Sequence, residues 1–397
     1  MEDLKQVYLD NNATTAVAPE VLEAMLPFFK ESYGNPSSTY SFGSRIRDMI
    51  DEARARVAAS LNAAPEEIVF TSCGTESDNT AISSALQAYP ARRHIITTVV
   101  EHPAVLNFCR TLEPMGYTVT CLRVDSHGRL DLEAFRGALR DDTAIVSIMY
   151  ANNETGVVFP IEEIGRIIKD RNTPGGKILF HTDAVQAVGK LPVDLKRLNL
   201  DMLSISGHKL HAPKGIGALY IRQGTPFYPY LIGGQQEDGR RSGTENTAYI
   251  AGLGKACELA ARSLGEEAAY LGRLRDKLEA AILGTCPGAI VNGRTALRLP
   301  NTSSISFEYI DGEAILMLLD SCGIYAASGS ACSSGSGKPS HVLEAMSVPT
   351  SAIHGSVRFS LSRYNDESDI DRLLGILPGI IKKLREISPL SGVSTGK

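Results

Sequence analysis

None of the seven cysteines (73, 109, 121, 257, 286, 322 and 332) forms a CxxC pair, and the set is odd, so neither a disulfide framework nor a zinc site is suggested. No stretch approaches the roughly eighteen apolar residues of a membrane-spanning helix. The opening residues, MEDLKQVYLDNNATT, lack the basic, apolar, small-residue order of a secretory signal; reduced thiols and a cytoplasmic location are the expectation. Long basic runs are missing too. With a formal net charge of −5, this argues against nucleic acid or an anionic membrane as the main partner. There is no internal repeat or low-complexity tract. What is present is an ordinary globular composition, 43% hydrophobic over 397 residues, enough for two domains with full cores and suited to a small-molecule substrate.

From about residue 68 to 221, short β-rich runs alternate with amphipathic helical segments. The runs are IVFTS (68–72), HIITTVV (94–100), YTVTCLRV (117–124), TAIVSIMYA (143–151), KILFHTD (177–183), MLSIS (202–206) and GALYI (217–221). Alternation of this kind predicts an α/β fold, a mainly parallel sheet with helices on both faces. Ligands of such sheets collect beyond the carboxyl ends of the strands. The chain then turns helical from about 247 to 284 and continues as a smaller mixture that includes SSISFEYI (303–310) and SVRFSLS (356–362), which reads as a second domain. Pro378 is expected to kink or divide the last helical segment. TPGGK (173–177) reads as a surface turn.

Four modest signals fall just after neighbouring strands. Lys209, in SGHKLHAPKG, lies at a strand's carboxyl end, where a cleft can lower an amine's pKa enough to make it a nucleophile; a solvated surface lysine is the commoner case. Asp183 ends another strand and Gln186 follows it. A carboxylate there can hold a pyridine nitrogen protonated and the amide can reach a ring oxygen, although an Asp at such a junction is often a helix cap. CGTESDN (73–79) opens a helix with Gly74 and Thr75, a phosphate seat or a plain capping sequence, and Ser206 and His208 would add donors. His102, after the 94–100 strand, could stack on a planar ring, though a lone His is more often structural. Together these supply an amine, a pyridinium partner, a phosphate cradle and a stacking ring, the set that pyridoxal 5′-phosphate needs.

Ten stretches in order, YLDNNATT (8–15), YGNPSS (33–38), CGTESDN (73–79), EHPAV (101–105), NNETGV (152–157), HTDAVQAVGK (181–190), SGHKLHAPKGIGALY (206–220), RRSGTEN (240–246), SGSACSSGS (328–336) and SVRFSLSRYN (356–365), resemble the NifS/IscS family of cysteine desulfurases over nearly the whole chain. The resemblance implies a fold type I pyridoxal phosphate enzyme, a homodimer that converts L-cysteine to L-alanine and passes sulfur to an acceptor protein such as an iron–sulfur scaffold. It implies a large domain at 15–260, with a mainly parallel seven-stranded sheet, and a smaller α+β domain of 1–14 with 261–397. By motif, Lys209 resembles the Schiff-base lysine, Asp183 the partner of the ring nitrogen, Gln186 the residue on the ring hydroxyl and His102 the stacking imidazole, which is also the candidate catalytic proton donor or acceptor. Thr75, Ser206 and His208, with Gly74 beside them, resemble the phosphate ligands, and Thr244 would reach the other subunit's cofactor. Asn153 and Arg358 match positions that hold cofactor and substrate carboxylate. Cys332, in the small-residue run SGSACSSGSGKPS (328–340), falls on the catalytic cysteine, in a mobile loop at about 326–340 that lets one sulfur visit substrate and acceptor. Tyr40, Gly337 and Lys338 depart from the family pattern and bear only on partner docking. NNETG and the short tail look more like the NifS type than the housekeeping IscS type, and a nitrogenase cluster scaffold, a general iron–sulfur scaffold and a thiolation protein stay open as the sulfur acceptor. The alternatives are a selenocysteine lyase or another fold type I enzyme, and a sulfur carrier that needs no cofactor.

Overall fold

The computed structural model describes residues 5–172, 176–328 and 339–388. Its centre is a seven-stranded sheet in the order Ile68–Thr71, Gly217–Ile221, Met202–Ser206, Leu179–Asp183, Thr143–Ser147, His94–Thr98 and Thr118–Leu122. Only Gly217–Ile221 runs against its neighbours; the other pairings in the sheet are parallel. Six of the seven strands are buried along their whole length, which is why they read as near-continuous apolar or β-branched runs. The exception, Thr118–Leu122, is one of the sheet's two edges and carries exposed residues. The fold is therefore the α/β class that the alternation predicts. The sequence overruns several strands: 94–100 ends at Thr98 and 143–151 at Ser147, where the chain leaves the sheet to build loops.

The Gly74–Ala88 helix packs on one face of the sheet, through Ala81, Ile82, Ala85 and Leu86. On the other side lies the larger core, to which the Pro19–Lys30, Ser41–Ser60 and Ile161–Arg171 helices contribute. A 39-residue helix, Thr247–Thr285, about 58 Å long at 1.5 Å per residue, links this core to a second one. Its first turns bury Leu253, Ala256 and Cys257 in the large core, and its last turns bury Leu271, Leu274, Leu278 and Ile282 in the small core. Gly254 permits the close approach of the Ser41–Ser60 helix, because a Cβ there would lie 2.7 Å from Ala53 Cα.

The small core is built on a four-stranded antiparallel sheet ordered Ala327–Ser328, Ser356–Ser360, Thr302–Phe307 and Ala289–Val291. Near the N-terminus, Val7–Tyr8 pairs with Ile324–Tyr325 and joins the same core. The closing helix, Glu367–Ile387, is one undivided helix through Pro378, against the expected division. An internal proline costs about 3 kcal/mol. Here residues on both sides of it, among them Ile370, Leu373, Leu377, Ile381 and Leu384, are buried in one apolar cluster, and that burial outweighs the local cost. Residues 173–175 of the TPGGK turn lie outside the described residues, as does most of the 326–340 stretch.

Candidate active site

The carboxyl ends of five strands that run the same way open onto one cleft of about 420 Å³, in the size range of small-molecule sites. After Ile68–Thr71 the chain turns at Cys73 and starts the Gly74–Ala88 helix, so Gly74 and Thr75 occupy a helix N-terminus that the Cys73 side chain does not cap. His102 follows His94–Thr98, and Asn153 follows Thr143–Ser147. Asp183 is the last residue of its strand, with Gln186 in the next turn. Ser206 likewise ends its strand, and a short 3₁₀ turn then carries His208 and Lys209. Arg358 enters from the small sheet, on Ser356–Ser360. All of these line the cleft. Thr244 does not: it is exposed on its own chain. Arg241, three residues before it, binds Glu76 through Nε at 2.8 Å and a second nitrogen at 3.2 Å, which fastens that segment to the start of the Gly74–Ala88 helix. Cys332 lies outside the described residues.

The charges in the wall are arranged around buried acids and neutral imidazoles. Asp183 accepts from the Val185 amide at 2.9 Å, and burial pushes its carboxyl upward against the opposing pull of His102 and Lys209. Asp78, on the Gly74–Ala88 helix, is also buried and pushed well up by burial, with Asp183's like charge adding to it. His181 behind them is held at 2.9 Å by both Ser147 and Ser204, and burial pushes it down to about 3. His102 Nδ1 accepts from the Ala104 amide at 3.1 Å, so the proton of its neutral ring sits on Nε2; burial lowers its pKa. Lys209 Nζ donates to the carbonyls of Asn12 (2.5 Å) and Ala13 (2.7 Å).

Two of the Arg358 nitrogens are bound, one to Asp10 Oδ1 at 2.6 Å and one to the Asn153 carbonyl at 3.1 Å, while its buried Nε has no partner among the described residues. Ser206 Oγ is buried and likewise without a partner among the described residues. Buried polar groups are normally satisfied, so an orphaned hydroxyl beside an uncapped helix N-terminus suits an anionic oxygen. Gly74 keeps that corner open, since a Cβ there would stand 2.7 Å from Val185 Cγ2. A buried carboxylate, a nearby amine and a seat for an anion are the donor set of a planar, phosphate-bearing pyridine.

Sequence reasoning missed several residues of the wall. Asn12 uses its side chain to join the Asn153 carbonyl, Thr302 and Asn301, and lay unassigned within YLDNNATT. Asp78 lies within CGTESDN and Glu154 within NNETGV; His341 gave no signal, and its Nε2 donates to the Glu101 carbonyl at 3.1 Å.

A cleft of this construction, on this sheet, defines a class of protein. Residues 7–373 match the aminotransferase class-V family. Among relatives, the cysteine desulfurase NifS of Azotobacter vinelandii is 58% identical over 387 residues, covering 97% of this chain and 95% of that protein. A cysteine desulfurase of Nostoc sp. is 56% identical over 390 residues, 98% of this chain and 96% of its own. A solved structure titled as a NifS-like protein superposes with a TM-score of 0.90 at 41% identity, over 96% of this chain and all of that one. The chain therefore belongs to the class-V aminotransferase family and, within it, to the cysteine desulfurases, as the ten motifs implied.

Proposed function

We propose that this enzyme holds pyridoxal 5′-phosphate in the cleft and removes sulfur from L-cysteine, leaving L-alanine and carrying the sulfur as a persulfide on Cys332. The observation that carries the reading is the convergence of Lys209, Asp183, His102, Gln186, Ser206 and Arg358, from four separate stretches of chain, on one cleft. When bound, pyridoxal phosphate supplies an electron sink for negative charge at the substrate Cα. Lys209 would hold it through the amine, Asp183 would pair with its ring nitrogen, Gln186 with its ring oxygen, and His102 would stack on its ring. Gly74, Thr75, Ser206 and His208 would hold the phosphate; burial, with nearby lysines, pushes His208 down to about 4, and its neutral ring still carries one N–H to donate. Arg358 and Asn153 orient the substrate carboxylate, for which a guanidinium fork is suited.

Once the substrate is seated, the Lys209 amine takes the Cα proton. The Cys332 thiolate attacks the substrate sulfur: a sulfur–sulfur bond forms, the substrate's carbon–sulfur bond breaks, and its electron pair stays with the three-carbon fragment, which is protonated to L-alanine. The persulfide sulfur passes in the cytoplasm to an acceptor protein such as an iron–sulfur scaffold, for nitrogenase maturation or for other sulfur-containing products, a reading supported by the 58% identity to a NifS cysteine desulfurase. A homodimer, in which Thr244 serves the partner's site, is supported by large apolar side chains left exposed on the chain, among them Phe29, Tyr230 and Ile232, the last 87% exposed. The same reading divides the chain into a large domain at 15–260 and a small one of 1–14 with 261–397, supported by the two separate cores. The test is product analysis of the loaded enzyme: L-cysteine should yield equal alanine and sulfane sulfur. A keto acid with amino transfer would instead make it a transaminase, and turnover of selenocysteine alone a lyase for that substrate.

A further inference from the structure

Gln186 is gripped from behind by a second lysine. Lys190 lies four residues on, and its Nζ donates to Gln186 Oε1 at 2.8 Å. On the other side, Gln186 Nε2 donates to the Asn12 carbonyl at 3.0 Å, the same carbonyl that accepts from Lys209. An ammonium offers donors only and a backbone carbonyl accepts only, so the two contacts agree on one orientation of the amide. Flipping it would set its NH₂ against the ammonium and its oxygen against the carbonyl, losing both bonds in a buried place. Nε2 carries two hydrogens; with one committed to Asn12, the other remains for the cleft that Gln186 lines.

We propose that Lys190 is a positioning residue: as an ammonium it locks the Gln186 amide with an N–H toward the cleft, so that the site presents a donor to the ring oxygen of the bound cofactor. This rests on the reading of the cleft as a pyridoxal phosphate site. Facing Lys190 are Glu267 of the long helix, Lys209 and Arg358, with His208 and His211, both kept neutral by burial at about 4. Arg363 pairs with Glu267 at 2.9 Å and, with Lys190 and Glu267, lines a small cavity beside the cleft. Burial and the neighbouring cations push the Lys190 ammonium down to about 7, so a guanidinium, which stays protonated, is the conservative replacement.

The test reads the pH titration of the visible band of the pyridoxal phosphate-loaded enzyme, together with the affinity for pyridoxal phosphate. A donor on the ring oxygen stabilises its ionised form, so losing the donor raises the titration midpoint. Lys190→Met should raise it by about one pH unit, tenfold in proton affinity, and Gln186→Leu by a similar amount. Lys190→Arg should return it toward the parent value. In the Gln186→Leu background, Lys190→Met should add nothing, because its effect passes through the amide. An additional shift there, or no shift in the parent background, would overturn the inference; Lys190→Gln is read in the same way if the Met variant does not fold. Absence of any visible band in the parent chain would overturn the cofactor reading itself, and this role with it.

Discussion

Replacing Glu154 with Gln removes a carboxyl that is 5% exposed in the cleft wall and accepts from the Ser340 hydroxyl at 2.5 Å. Burial pushes this carboxyl up from 4.5 to about 7, against the pull of Ser340 and Arg358. The folded state thus binds the Glu154 proton more tightly than the unfolded chain does. Its contribution is complete below the unfolded value and is lost as pH rises through about 7. At 1.36 kcal/mol per pH unit the whole effect is roughly 3 kcal/mol, of which about 2.5 falls between pH ~5 and pH ~8. Gln keeps an oxygen for Ser340 and does not titrate. Urea denaturation of the cofactor-free protein at both pH values should therefore show wild type losing about 2.5 kcal/mol relative to Glu154→Gln on going to the higher pH, with unchanged m values. A difference between the two proteins that stays constant with pH would refute the reasoning.

Gly74→Ala should weaken pyridoxal phosphate binding tenfold or more in a fluorescence titration, because the new methyl would meet Val185 Cγ2 at 2.7 Å and overpacking costs about 1–3 kcal/mol. Arg358→Lys loses the fork while keeping the charge; steady-state kinetics should show KM for L-cysteine raised about tenfold or more, with kcat changed less. Glu279→Ala strands the guanidinium of Arg298, paired with it at 2.7 and 2.9 Å and buried on both sides, and should cost about 3–5 kcal/mol in a denaturant titration.

Most of the central sheet was legible because a buried parallel strand must be apolar on both faces, and such runs stand out without any knowledge of the fold. The placement of Lys209, Asp183, Gln186 and His102 followed from a similar rule: each ends or follows a strand, and strands running one way bring those positions to one edge. What was missed depends on distance along the chain. Asn12 meets Asn153 across 141 residues and Lys209 across 197, and Glu154 meets Ser340 across 186; no local pattern announces such pairs. Pro378 shows the converse, a sound local rule overridden by burial of one continuous apolar face. The Lys190 contact sat within the quoted HTDAVQAVGK, four residues from Gln186, yet only the position of Asn12 on the far side gives it meaning.

The central claim is that sulfur passes from L-cysteine to Cys332, and it is tested most directly by mass spectrometry of the peptide bearing that residue, alkylated without reductant after the loaded enzyme meets L-cysteine. The account predicts a peptide heavier by one sulfur atom, absent from Lys209→Ala, and no release of sulfane sulfur by Cys332→Ala. An unmodified Cys332 peptide throughout turnover, or sulfur release by Cys332→Ala at the wild-type rate, would contradict it.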